Sequence, residues 1–130
     1  MYDLAILYKL MNLYFHNAHN LVSGPTFHED HAFFGSLYEF ADDSYDSIVE
    51  RMIGNDEKCD LVEIAKGAAS LLDSLSEDYY KNALVLLEEG VKLIDEMSKS
   101  GKIDVADQNL IQGQADSAKV FIYKAKRRMK

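Results

Sequence analysis

The sequence predicts an all-α fold: a four-helix bundle with a short extra helix between the second and third long helices, in one domain spanning 1–130. Three observations predict it. One proline and seven glycines leave few obligatory breaks, which favours long helices over a sheet with many turns. Apolar residues recur at intervals of three and four. The breaks that do occur carry helix-stop and helix-start residues. A chain of 130 residues with 48% apolar content can bury a core without disulfides or a structural metal.

The first helix begins within the first few residues and runs to about Val22, with Leu4, Leu7, Met11, Tyr14, Phe15 and Ala18 on its apolar face. Ser23-Gly24-Pro25-Thr26 ends it, because glycine permits a left-handed cap and proline cannot continue the ladder. Thr26 and Glu29 are spaced as a capping box for the second helix. That helix runs from about Phe27 to Ile53, with Phe34, Leu37, Tyr38, Ala41, Tyr45, Ile48 and Met52 as its stripe. Gly54-Asn55-Asp56 closes it. Asp60 and Glu63 form a second capping box, opening a short helix to about Leu72 with Ile64, Ala65, Ala68 and Leu71 on one side. Ser74 with Glu77 starts the third long helix, which carries Ala83, Leu86, Leu87, Val91, Ile94 and Met97 and stops before Gly101. Asp104 caps the fourth, with Val105, Leu110, Ile111, Ala115, Ala118, Phe121, Ile122 and Ala125 following it.

A lone cysteine, Cys59, rules out an internal disulfide framework and fits a reducing compartment. The N-terminus lacks the basic region of a signal peptide, and no stretch is apolar enough to span a bilayer. The expectation is a cytoplasmic protein without a membrane partner. A net charge of −8 argues against a broad electrostatic hold on nucleic acid. The exception is the last twelve residues, where Lys119, Lys124, Lys126, Arg127, Arg128 and Lys130 gather. Cations there also favour the helix dipole.

The stretch Tyr14–Arg51 holds all four histidines, His16, His19, His28 and His31, and a dense set of carboxylates. At about 100° per residue, His28, His31, Glu39, Asp42, Asp46 and Glu50 share one sector of the second helix. His16 and His19, one turn apart, can reach the same surface. Such a stripe is either the solvated side of an amphipathic helix or a set of transition-metal ligands. His31 and Asp46 lie roughly 22 Å apart along the axis, so within one chain they cannot hold one ion. A two-fold, antiparallel pairing of this helix would bring His31 of one copy to Asp46 and Glu50 of the other. The Glu-x-x-His pairs of an intra-chain di-iron bundle do not occur.

His19, Gly24, Phe27, His31, Leu37-Tyr38 and Asp46-Ser-Ile-Val-Glu50-Arg51, in this spacing, resemble the Dps proteins, mini-ferritins that protect bacterial DNA during starvation and oxidative stress. The resemblance spans nearly the whole chain, with a shorter segment between the second and third long helices. It implies a ferritin-like bundle and a ferroxidase centre with His19 and His31 from one subunit and Asp46 and Glu50 from its two-fold mate. It further implies oxidation of ferrous iron, typically by hydrogen peroxide, and storage of ferric mineral in a hollow homo-oligomer of two-fold dimers, usually a dodecamer. Asp107 and Asp104 become candidates for a three-fold pore. Another divalent metal in place of iron is compatible with the same ligands.

The sequence departs from the family at three points. The aspartate expected four residues after the second histidine is Gly35, which leaves Glu39 or water to compensate. There is no tryptophan anywhere; Asn20 follows His19, and Tyr14 and Tyr38 read as packing residues. The lysine-rich N-terminal extension that binds DNA in many members has no counterpart, so only the basic tail offers such a contact. These departures support an alternative: a Dps-like shell or DNA-associated scaffold with a degenerate metal site. A plain helical interaction module is the third reading.

Overall fold

A computed structural model describes all residues 1–130, and every regular element in it is a helix. They are α1 (Tyr2–Leu21), α2 (Phe27–Gly54), α3 (Leu61–Leu72), α4 (Tyr79–Lys99) and α5 (Val105–Arg128). The chain divides into two compact units, Tyr2–Tyr79 and, with Met1, Tyr80–Lys130. No helix is long and apolar enough to cross a membrane.

In the first unit α1 and α2 form an antiparallel hairpin. The turn depends on Gly24, whose φ of +96° lies where an L side chain is disfavoured. The predicted apolar faces are the buried ones: Leu4, Met11, Phe15 and Ala18 on α1 meet Phe34, Leu37, Ala41 and Ile48 on α2. Phe34 is fully buried, with the Phe15 ring at 6.4 Å and the Tyr79 ring at 6.1 Å. Tyr8 meets Phe40 edge-on, and burial pushes its hydroxyl well above the usual tyrosine range, partly offset by a hydrogen bond with Ser44. Neutral at any ordinary pH, that hydroxyl adds no charge to the core.

α3 packs on α1 through Ile64 and Ala68, and the Ile6 side chain lies against Gly67, 3.6 Å from where a Cβ would stand, an ordinary contact distance. Tyr14 donates its hydroxyl to the Ser76 carbonyl at 2.6 Å, tying the segment after α3 back to α1. In the second unit α4 and α5 run antiparallel, with the Arg128 guanidinium over the Tyr80 ring at 5.2 Å. Ala83, Leu86, Leu87, Ile94, Ile111, Ala118 and Ala125 are buried.

Two of the four predicted caps hold. Asp60 accepts from the Val62 and Glu63 amides at 3.1 Å, and Asp104 accepts from the Asp107 amide at 2.8 Å. Thr26 makes no side-chain cap; its hydroxyl donates instead to Asp30 Oδ2 at 2.7 Å, and Asp30 is buried. α4 starts at Tyr79 rather than just after Ser74, because the Ser74 hydroxyl donates back to the Leu71 carbonyl and prolongs the end of α3. Ala65, Leu71 and Val105, read from sequence as inward-facing, are exposed.

Candidate metal centre

The hairpin brings His19, near the end of α1, against His31, near the start of α2. Their rings stack with centroids 3.7 Å apart and planes inclined by 22°. His19 Nδ1 lies 2.7 Å from the His31 carbonyl oxygen, and His31 Nδ1 lies 2.7 Å from the His19 carbonyl oxygen. A carbonyl only accepts, so each Nδ1 must carry the proton and donate. In the neutral ring that leaves Nε2 as the lone pair on both. A backbone carbonyl holding one ring nitrogen while the other is left to coordinate is the usual support of a metal-binding histidine.

The stack also restricts what the pair can hold. An ion bound in line with an imidazole lone pair lies in the ring plane, about 2.1 Å beyond the nitrogen. Two nearly parallel planes this far apart do not meet within that reach. As placed, the two Nε2 atoms do not converge on a single ion.

More rings extend the stack. Phe27, one turn before His31 on α2, stacks on it at 5.1 Å, and Tyr38 meets His19 edge-on at 5.2 Å. His16 in turn stacks on Tyr38 at 4.4 Å. Phe27 and Tyr38 therefore brace the histidine pair, a role the sequence signals only through the i, i+4 spacing of Phe27 and His31. His28 is exposed beside Phe27.

Gly35 is the neighbour that most constrains His19. A Cβ at this position would stand 3.1 Å from both Cε1 and Nδ1 of that ring, closer than van der Waals contact allows without movement. The space that a longer residue would take on α2 is filled by the His19 imidazole. A Gly35→Ala change gains about 1 kcal/mol of helix propensity but makes the His19 ring give by a few tenths of an ångström, which loads its bond to the His31 carbonyl. The expected result is that nitrogen-resolved NMR of the histidine rings finds Nδ1–H tautomers at both His19 and His31 in the wild type. The His19 signature is lost or averaged in Gly35→Ala. Nε2–H tautomers at both rings in the wild type would refute the cross-bonded pair.

The carboxylates lie elsewhere. Glu39, Asp42, Asp46 and Glu50 are exposed along α2, Asp46 roughly 22 Å from His31 along the axis. Within one chain no three His, Cys, Asp or Glu side chains stand close enough to hold a metal ion. Beside Asp46, Tyr45 has its hydroxyl pushed up by burial first and by the nearby Cys59 and Asp46 next, with the Lys9 ammonium 4.3 Å from its ring centre. Asp104 is engaged as the α5 cap, and Asp107 is buried.

No family model, curated protein or solved structure matches the chain.

Proposed function

We propose that this chain is a Dps-like mini-ferritin, a ferritin-like bundle that binds ferrous iron at a site shared between two copies and oxidises it there. The single observation that carries the reading is the reciprocal hydrogen bonding of His19 and His31, which commits both Nδ1 atoms to carbonyls and leaves both Nε2 atoms for ions. In this proposal each imidazole takes one ferrous ion, and Asp46 and Glu50 of a two-fold mate supply oxygen ligands, with Glu39 as a further candidate. Imidazole with carboxylate suits both oxidation states of iron. Hydrogen peroxide accepts two electrons, one from each ferrous ion, so a pair of ions reduces it without releasing a one-electron radical. Ferric product would collect inside a closed homo-oligomer, as the sequence resemblance implies. The net charge of −8 would favour drawing cations toward such a shell.

Gly35 favours a second reading. The position where the resemblance expects a carboxylate is closed by the His19 ring, so one oxygen ligand is absent. A shell or scaffold with a weakened metal site follows from that.

Ferrous oxidation followed optically, with peroxide and with oxygen, separates the two. The expected outcome is wild-type oxidation faster than His31→Ala by about 10–100-fold or more, with an assembly of several copies in both. Wild-type rates equal to protein-free buffer, with the assembly intact, would leave the scaffold reading. A stable monomer would sink both.

A further inference from the structure

The second unit carries a groove between α4 and α5. Two adjoining hollows, of about 660 and 280 Å³, share Val91, Asp95 and Lys119. Their floor is apolar, with Val91, Ile94, Ala115 and Ile122, and three lysines, Lys92, Lys119 and Lys126, stand among three carboxylates on the rims. The lined part of α4 runs from Glu88 to Ser98, roughly 15 Å of helix.

α3 presents a matching convex face. Of its twelve residues only Glu63, Lys66 and Ser70 are polar. Ile64 and Ala68 are spent on α1, yet Leu61 and Val62 are 50% and 63% exposed, and Ala65 and Ala69 are exposed beside them. At about 100° per residue these four span a single sector of the helix, and twelve residues measure roughly 18 Å.

The charges of the two units are opposite. Residues 2–79 carry four Lys or Arg against fifteen Asp or Glu, a net of −11, while 80–130 carry ten against seven, a net of +3. Acids crowd the start of α3, at Asp56, Glu57, Asp60 and Glu63, and bases crowd the end of α5.

We propose that the α4/α5 groove is a docking surface for the exposed face of α3 of a second copy of this chain. The occupant lays Leu61, Val62, Ala65 and Ala69 on the apolar floor, in the manner of a helix in a groove. Its acidic N-terminal end points toward Lys119 and Lys126. Because the two surfaces differ, each copy offers one face and receives another, which builds a chain, or a ring that closes at two or more copies. Its residues are other than the histidine pair and the Asp46 and Glu50 carboxylates of the proposed metal site.

Sedimentation of the full chain tests it. The expected result is a weight-average mass that falls on going from low salt to about 1 M, where screening acts within a few ångströms. Val62→Asp and Lys119→Glu, both at exposed positions, each lower the mass at low salt while keeping the wild-type circular dichroism. An equimolar mixture of the two variants regains a finite complex, because the intact groove of one receives the intact α3 of the other. A mixture no heavier than its components would overturn the pairing of α3 with the groove. A wild-type mass indifferent to salt and to both substitutions would overturn the surface altogether.

Discussion

Co-expressed His31→Ala and Asp46→Ala chains regain about a quarter of wild-type ferrous oxidation, although each variant alone oxidises no faster than buffer. The fraction follows from two-fold geometry. Random pairing makes about half of the dimers mixed, and in each mixed dimer one site has both lesions and the other has none. Restoration to about a quarter therefore requires that His31 and Asp46 act from different copies. If both residues served one site within a chain, mixing would restore nothing, because no chain would be whole. Mass spectrometry of the mixed dimers keeps a blank result meaningful: mixed dimers present and inactive would refute the shared site. Either variant alone at the wild-type rate would show that its residue is not a ligand.

The largest loss of stability is expected at Phe34. The ring, on α2, is fully buried with Phe15 of α1 and Tyr79 at the start of α4 beside it, so Phe34→Ala removes its transfer free energy and leaves a cavity. The cost is about 3–5 kcal/mol, a fall in Tm of roughly 10–20 °C for a chain of this size. Val85→Ala, at a side chain 55% exposed on α4, is expected to change stability by less than about 0.5 kcal/mol. Thermal unfolding followed by circular dichroism compares them. A Phe34→Ala protein within about 1 kcal/mol of wild type would mean that the α1–α2 hairpin is not where the core is held.

The helices were legible in the sequence because the apolar period of α1 and α2 is long and uninterrupted, and the Gly24 turn has a composition no helix interior would keep. Local polar chemistry was less legible. Thr26 and Ser74 each have a hydroxyl with two possible partners of similar worth; the choice of Asp30 over an amide, and of the Leu71 carbonyl over the next helix, depends on where the neighbouring backbone already lies. α3 was misread on one side because an almost wholly apolar helix gives no period to say which face is covered. At the candidate site, the spacing placed His19 and His31 at facing ends of a hairpin and Asp46 out of their reach. It did not show that the rings stack, that each bonds the other's backbone, or that Phe27 and Tyr38 brace them. Gly35 is the clearest case. From sequence it was a missing carboxylate, whereas in space it is the hollow that the His19 ring occupies, a fact that belongs to the distance between two helices rather than to either one.

The crossed bonds of His19 and His31 have a kinetic side as well. The two residues are only twelve apart in the chain, so closing the loop between them costs little entropy, and contacts of such short range form early. The hairpin is thereby clasped at its turn by two hydrogen bonds that need no other helix, no second unit and no second copy. The contacts that make the imidazole pair all come from α1, α2 and the turn between them, so none of α3, α4 or α5 takes part in them. The paired rings are local to the hairpin, whereas a site shared between copies also depends on concentration.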